Sequence, residues 1–224
     1  MKRRTYLRAA GAGAAVGLAG CLGGGGDANP NVSLSRPDRE NDVSSEDLPY
    51  PAWGQQVPEV TLSDPIAGSE VSVRDIDVPH FHTYFFTNCM TVCPVLISAL
   101  REVQIHSVSE GYADEVSFYP ITFDPARDDA DAFRAEADQM NVDMDAGNWH
   151  FLRPADEAEA KSVVEDQFGV FFEKNEPNDE GNYMFTHLGL VSLVNGDGYV
   201  ERTYRGNQPD EQTLIDDLTA LREA

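Results

Sequence analysis

The strongest constraint on the fold of this chain is a strand, loop and helix pattern in its first half. Residues 79–86 form a continuous, largely aromatic run, which is typical of a central strand. Cys89 follows in a short loop, and Cys93 stands directly before Pro94. Because proline has no backbone N–H and clashes with a preceding turn, it favours the first turn of a helix, here predicted over residues 93–106. The two thiols are therefore predicted at a helix N-terminus, just beyond a buried strand.

The rest of the chain alternates strands with helices and then ends in a hairpin. Apolar runs predict strands at residues 57–62, 71–73, 116–122 and 149–152, and amphipathic patterns predict helices at 128–140 and 155–168. Residues 173–181 are polar and are predicted as a loop. Segments 188–194 and 199–204 flank Asn-Gly-Asp-Gly, which is a strong hairpin signal, and a last helix is predicted over 209–222. This order predicts an α/β fold with a central mixed sheet flanked by helices and a C-terminal β-hairpin plus helix.

The N-terminus has the pattern of an export signal. Arg3-Arg4 together with Tyr6 and Leu7 resembles a twin-arginine signal, and the sequence Leu-Ala-Gly-Cys ending at Cys21 resembles a lipobox. The uncharged run over residues 9–26 is too short and too weakly apolar for a comfortable membrane span. We predict a signal peptide over 1–20 and lipidation of Cys21. The protein would then be exported and lipid-anchored to the outer face of the cytoplasmic membrane; a non-cleaved anchor is the alternative and also places the body outside the cell.

Composition divides the remaining chain into two parts. Residues 21–52 are rich in Gly, Asn, Asp, Ser and Pro without an apolar period, which predicts a disordered acidic tether. Residues 53–224 are predicted to form one folded domain, a length that can bury a substantial core.

The net charge is strongly negative. The 16 Lys and Arg residues face 39 Asp and Glu residues, for a formal charge of −23. This balance argues against nucleic-acid binding, which needs a basic face. It is typical of a protein that works at very high salt, where charge repulsion is screened. The alternative is an acidic protein without a special habitat.

The two remaining cysteines can serve several chemistries. With Cys21 assigned to lipid, Cys89 and Cys93 form a pair in an oxidising compartment. The positive end of the helix dipole favours their thiolate forms. Three intervening residues allow a disulfide, and they also allow both thiolates to hold one soft ion, such as Cu(I) or, less selectively, Zn(II). A redox pair, a metal site and an inert structural disulfide therefore remain as alternatives.

Four ordered motifs resemble the Sco/SenC family. Residues 85–94, FFTNCMTVCP, resemble its Cys-x-x-x-Cys-Pro signature. FDPARD at 123–128 resembles its Asp-Pro-x-x-Asp segment, WHFL at 149–152 its Trp-x-x-Leu strand, and YMFTH at 183–187 the segment that carries its metal-binding histidine. The matches span most of residues 53–224. The resemblance implies a thioredoxin-like fold and a membrane-tethered copper protein that assists assembly of cytochrome c oxidase.

The resemblance also implies a ligand set and a partner. Cys89, Cys93 and His187 would bind one copper ion per domain, as Cu(I) or Cu(II). The implied function is that of an extracytoplasmic metallochaperone for the binuclear copper centre of cytochrome c oxidase, acting as a monomer on the copper-bearing subunit of a terminal oxidase. Thr186 departs from the family, which usually has Asp before this histidine, so an acidic partner that would tune the metal is missing.

The other histidines are predicted to be structural. His80 and His82 share one face of a strand and are expected to be packed or solvated rather than to bind metal. His106 lies near a helix C-terminus, where the dipole favours a cation, and His150 lies inside a predicted strand. In thioredoxin-like folds the loop of His187 faces the cysteines and usually carries a cis-proline, which this chain replaces with histidine. Met90 and Met184 are soft atoms near the motif, but they are not assigned as ligands.

Other functions are alternatives to the copper chaperone. A thiol-disulfide oxidoreductase could reduce the target cysteine pair before copper loading, although we do not expect a conventional enzyme. A cupredoxin would need an all-β chain with Cys and His together near its end, and a thiol peroxidase has little support from the motif. Asp124 and Asp128 could orient a partner or pair with Arg127, and helix N-capping is the favoured role for Asp128.

Overall fold

The computed structural model describes residues 29–38, 43–179 and 182–224. The predicted signal peptide, Cys21 and residues 39–42 lie outside this part of the chain. None of the helices described is long and apolar enough to cross a membrane. In chain order the elements are β1 (Thr61–Asp64), β2 (Ser69–Ser72), β3 (His80–Phe85), α1 (Cys93–Ser109), β4 (Ser117–Thr122), α2 (Ala130–Met140), α3 (Glu157–Ala160, continuing as a π-helix over Lys161–Gln167), β5 (Phe172–Lys174), β6 (Phe185–His187), β7 (Leu190–Val194), β8 (Val200–Arg205) and α4 (Glu211–Arg222).

A four-stranded mixed sheet organises these elements. Its strand order is β4-β3-β7-β8. β3 pairs parallel with β4 and antiparallel with β7, and β7 and β8 form the antiparallel hairpin predicted around the Asn-Gly-Asp-Gly turn. α1 packs against β3, α2 and α4. The predicted α/β fold with a central mixed sheet and a C-terminal hairpin plus helix is confirmed.

β3 is buried along its whole length because both faces of the sheet are covered. On one face, Phe85 contacts the rings of Phe133 and Phe151. On the other face, His82 and Tyr84 pack against Phe168, which follows the π-helical stretch. A strand without a solvent face explains why its sequence is continuous rather than alternating.

The histidine pair on β3 is packed rather than solvated. The rings of His80 and His82 lie 4.7 Å apart, and both side chains are inaccessible to solvent. Nδ1 of His80 donates to the carbonyl of Val78 at 2.8 Å, whereas Nε2 of His80 and both nitrogens of His82 have no partner in the described part of the chain. Burial lowers the pKa of His80 to about 4. Burial and the neighbouring His80 lower the pKa of His82 well below its ordinary value, so both rings are neutral.

Several predicted boundaries differ from the structure. Residues 149–152 run beside β4 through isolated bridges, at Trp149 and Leu152, rather than as a strand. The helix predicted from 155 begins at Glu157, after the N-cap Asp156, and its second half is π-helical. The loop predicted over 173–181 begins inside β5, which pairs with β6; neither three-residue strand has a sequence signal of its own.

The N-terminal arm, residues 29–38, differs from the expected tether because it packs on the domain. Backbone N–H groups of Ser33 and Leu34 each donate to the Glu201 carboxylate at 2.9 Å. The indole of Trp53 donates to the carbonyl of Leu34 at 2.9 Å. Composition predicted disorder here because the arm has few apolar residues, but the buried carboxylate of Glu201 supplies distant acceptors for its backbone. The folded body therefore begins before residue 53; residues 21–28 of the predicted tether lie outside the described chain.

Candidate metal centre

The end of β3 and the start of α1 place the two cysteines. Cys89 closes a turn in which its N–H donates to the carbonyl of Phe86 at 3.1 Å. Cys93 is the first residue of α1, with Val92 as the N-cap and Pro94 in the first turn, as predicted. The backbone N–H of Cys93 donates to Sγ of Cys89 at 3.4 Å. The two cysteines do not form a disulfide, and both are buried.

β6 brings a histidine to these thiols. His187 is the last residue of β6, and its Nε2 lies 3.4 Å from Sγ of Cys93. The ligand atoms of Cys89, Cys93 and His187 all lie within 4.8 Å of one another. Among the residues that the structure describes, this is the only group of three or more His, Cys, Asp or Glu side chains that converges in this way. All three predicted metal ligands therefore meet at one place.

The backbone orients the imidazole of His187. Nδ1 donates to the carbonyl oxygen of Leu188 at 3.2 Å, which leaves the lone pair of Nε2 directed toward the sulfurs. The family's acidic residue is absent at Thr186, whose side chain is exposed and bonds to Asn175 at 3.5 Å. In this chain, a backbone carbonyl oxygen and not a carboxylate accepts the hydrogen bond from Nδ1 of His187.

The two thiols share one proton unequally. The hydrogen bond from Cys93 lowers the pKa of Cys89 to about 3, with further help from the backbone N–H groups of Thr91 and Cys93. Burial raises the pKa of Cys93 well above its ordinary value, and the adjacent Cys89 raises it further. Cys89 is therefore a thiolate and Cys93 a thiol at neutral pH. A soft S, S, N donor set suits Cu(I), and binding it here would release the Cys93 proton.

A buried carboxylate holds the loop that carries Cys89. Asp128 accepts hydrogen bonds from the backbone N–H of Thr87 at 3.2 Å and from its hydroxyl at 2.6 Å. The Thr122 hydroxyl also donates to Asp128. Burial raises the pKa of Asp128 to about 6, although these hydrogen bonds oppose the rise. The predicted N-cap role of Asp128 is wrong: Asp129 caps α2, and Asp128 is turned inward instead.

A second carboxylate holds the chain that leads to His187. The Tyr183 hydroxyl donates to Asp124 at 2.9 Å, and Arg127 forms an ion pair with the same carboxylate. Arg127 also donates to the carbonyl of Tyr183 at 3.1 Å and lies 3.6 Å above its ring. Pairing with Arg127 is thus the role of Asp124. The segment 122–128 consequently contacts both chain segments that carry the three converging residues.

The sequence did not predict one buried acidic residue near the candidate metal centre. Glu136 lies on α2 and is buried. Burial, followed by the charges of Asp128 and Cys89, raises its pKa to about 7. An acid on a polar helix gives no sequence signal of this kind, because the burial comes from how α2 packs.

His106 and His150 bond to side chains outside the convergent group, and one methionine near the cysteines is exposed. Nδ1 of His106 lies 2.6 Å from the hydroxyl of Tyr112, and His150 lies 2.9 Å from the carboxylate of Asp64. Met90, between the two cysteines, is 83% exposed.

Comparisons with known proteins agree with this architecture. The SCO1/SenC family model matches residues 66–223. A SCO1 protein homolog from Bacillus subtilis (strain 168) is 27% identical over 135 residues. That match covers 60% of this chain and 64%, slightly less than two thirds, of the relative.

Solved structures show the same fold. A SCO1/SenC family lipoprotein from Bacillus anthracis str. Ames superposes with a TM-score of 0.61 at 21% identity, over 76% of this chain and 96% of that protein. Bradyrhizobium japonicum ScoI with copper bound also gives a TM-score of 0.61, at 22% identity, over 74% of this chain and 99% of ScoI. The expected thioredoxin-like fold is confirmed. Because the family model matches well over half of its length, the chain belongs to the SCO1/SenC family.

Proposed function

We propose that this protein binds one copper ion through Cys89, Cys93 and His187. It would act outside the cytoplasm as a metallochaperone for the binuclear copper centre of cytochrome c oxidase. The observation that carries the proposal is the convergence of the three ligand atoms within 4.8 Å. Copper bound to ScoI of Bradyrhizobium japonicum, which has the same fold, supports it.

The charge balance of the site suits Cu(I). Two thiolates, one neutral imidazole and Cu(I) sum to one negative charge, and Cys93 lies at the N-terminus of the 17-residue helix α1. The helix dipole stabilises an anionic complex at that end. A disulfide between Cys89 and Cys93 would remove both sulfur ligands, so copper loading should require the reduced pair.

The proposed location is the outer face of the cytoplasmic membrane, through lipid on Cys21. The lipobox-like and twin-arginine-like sequences carry this part of the proposal. The lipoprotein from Bacillus anthracis, a structural relative, supports it. The copper-bearing subunit of a terminal oxidase would be the partner that a protein anchored there could reach.

A thiol-disulfide oxidoreductase is the second candidate. The observation that favours it is the unequal pair of thiols, because a low-pKa cysteine beside a protonated one is the arrangement of a nucleophile and a resolving thiol. His187 favours copper instead, since dithiol exchange needs no third ligand. Both activities can use the same two sulfurs.

Copper titration of the reduced full chain separates these functions. We expect one copper per chain, with binding lost in Cys89→Ser, Cys93→Ser and His187→Ala and retained in His106→Ala, a histidine away from the site. Unchanged copper binding in His187→Ala would reject that ligand. Absence of copper binding in the wild type, together with fast disulfide exchange, would favour the oxidoreductase.

A further inference from the structure

A groove of about 430 Å³ runs beside the proposed copper ligand His187. One wall comes from the first turn of α1 and the loop before it, and the other from β6 and from Asn207. We call it the His187 groove, and its lining residues are Thr91, Val92, Val95, Phe185, Thr186, His187 and Asn207. β5 contributes no lining residue, so the groove lies on the side of β6 away from its paired strand.

The hydrogen bonds at the two ends of the β5–β6 ladder determine which facing residue pairs exchange backbone hydrogen bonds. At one end Leu188 donates to the carbonyl of Phe171 at 3.0 Å, and at the other Asn175 donates to the carbonyl of Met184 at 2.9 Å. In an antiparallel ladder, facing pairs that exchange hydrogen bonds alternate with pairs that do not. The backbone of Thr186, midway between these ends, therefore faces β5.

Phe185 and His187 fall at the alternate positions of β6. Their backbone N–H and C=O groups consequently point away from β5, toward the open edge of the strand. In the described part of the chain, β6 belongs to a two-stranded sheet with β5 as its only neighbour. An open edge of this kind can accept an extended peptide by adding it as a strand.

None of the described residues that line the groove is Asp, Glu, Lys or Arg, although the chain is highly charged. Charged residues make up 25% of the sequence, yet none occurs in residues 78–100 or 182–196, which supply most of the groove. These runs include buried strands, but they also include exposed side chains beside the centre, such as Met90 and Val95. An uncharged segment could enter without stripping water from any ionised lining residue, whereas a charged one would find no partner there.

We infer that the His187 groove binds an extended, uncharged segment of the copper-receiving protein, added as a strand to the open edge of β6. This inference rests on the proposed copper function and specifies how the receiver is recognised. The strand would align its own soft ligands beside His187, so that copper passes directly between the two proteins.

The transfer balances in charge and protons. Cu(I) keeps its oxidation state while its bonds to Cys89, Cys93 and His187 break and bonds to two receiving thiolates form. The receiving thiols lose two protons. Cys93 takes one and water takes the other, while Cys89 remains a thiolate.

Two matched variants on α1 test the groove. Val95 is 38% exposed and lines it, and Val108 is 43% exposed near the other end of the same helix. The probe is a short, uncharged peptide with two cysteines and blocked ends, mixed with the copper-loaded full chain. We expect Val95→Glu to slow copper transfer by about tenfold or more, because an unpaired charge would be desolvated by the peptide. Val108→Glu should transfer at the wild-type rate, and both variants should bind copper as tightly as wild type.

A backbone-modified peptide tests the strand pairing itself. N-methylation of alternate amides keeps both thiols but removes the N–H groups that pair with β6. Transfer to this peptide should be about tenfold slower, the effect of losing one or two hydrogen bonds. Equal rates with the two peptides, or equal rates with Val95→Glu and Val108→Glu, would overturn the inference.

Metal-free binding distinguishes this inference from the copper function. With serines in place of its cysteines, the peptide should shift the amide NMR signals of Phe185 and His187 in wild type but not in Val95→Glu. If these signals do not respond, the groove assignment is wrong even when copper binding is proven. If they respond while the protein binds no copper, the groove stands and the copper function fails. Shifts that appear with protein concentration alone would identify a second copy as the occupant and overturn the inference.

Discussion

The buried histidine pair on β3 should make this protein sensitive to acid. A histidine that is neutral when buried takes up a proton only in the unfolded chain, so stability falls as the pH drops below the unfolded pKa of about 6.5. The loss continues until the folded pKa is reached, which for His80 is about 4. Stability is therefore fully present above about pH 6.5 and declines between that value and about pH 4. Since β3 leads directly into the cysteine loop, we expect the candidate metal centre to be lost when β3 unfolds.

The size of the effect follows from the pKa difference. At pH 5 the solution is about 1.5 pH units below the unfolded pKa, and each unit corresponds to about 1.36 kcal/mol. Each histidine that stays neutral in the folded state therefore lowers the free energy of unfolding by about 2 kcal/mol relative to pH 7.5. The contribution of His82 can be isolated by His82→Phe. Its ring already packs edge-on against Phe168 with the ring centroids 6.0 Å apart, and neither of its nitrogens has a hydrogen-bond partner among the residues that the structure describes. We expect the stability of His82→Phe relative to wild type to rise by about 2 kcal/mol between pH 7.5 and pH 5.

Denaturant unfolding of the apo-protein at several pH values and one salt concentration measures this change. Asp128 and Glu136 have raised pKa values, so they bind protons at higher pH in the folded state than in the unfolded state and oppose the loss of stability in acid. Both residues are present in wild type and in His82→Phe, so their effect cancels when the two stabilities are subtracted. Tyr84→Phe, on the same strand face, is the matched control, because the raised pKa of Tyr84 keeps it from titrating in this range. A difference between His82→Phe and wild type that does not change with pH would refute the reasoning.

Three further predictions concern the buried carboxylates and the thiols. Asp128→Asn should weaken Cu(I) binding by about tenfold in a competition titration, because the cysteine loop loses charged hydrogen bonds. Asp131→Asn, at an exposed position on α2, should leave the affinity unchanged. If the two variants bind Cu(I) equally well, Asp128 does not position the cysteine loop. Glu201→Gln should lower the free energy of unfolding by about 1–3 kcal/mol and speed proteolysis of the N-terminal arm. Its copper affinity should not change. An arm that is cleaved no faster than in wild type would contradict the role given to Glu201. Alkylation of the reduced protein at pH 5, followed by peptide mass spectrometry, should label Cys89 before Cys93, and the reverse order would show that the proton is on the other sulfur.

Local signals predicted the first half of the centre from sequence. Pro94 restricts its own helical turn, so the start of α1 could be placed at or next to Cys93, and the helix begins at Cys93. The aromatic run indicated β3 because a strand covered on both faces needs no polar alternation. In both cases the determinant and its effect lie within a few residues of each other.

The position of His187 in the candidate centre depends on contacts between residues that are distant in the sequence. Cys93 and His187 are 94 positions apart, and periodicity cannot report that their side chains meet; family resemblance, not spacing, assigned this histidine. The arm contact to Glu201 spans 168 positions in the same way. Adjacent acids produced a different error, since Asp128 and Asp129 are equally good caps by composition and only packing turns one inward.

The charge distribution connects the site to the salty surroundings that the composition predicts. At molar salt the Debye length is about 3 Å, so long-range attraction cannot guide a partner to the protein. Recognition must then rely on contacts at van der Waals and hydrogen-bond distance, which the open edge of β6 and the uncharged His187 groove can supply. The acids near the candidate centre serve the interior instead: Asp124 and Asp128 accept hydrogen bonds from the two segments that carry the proposed ligands. A chain of charge −23 can in this way leave the surface beside its candidate metal centre neutral while acidic residues shape the site beneath it.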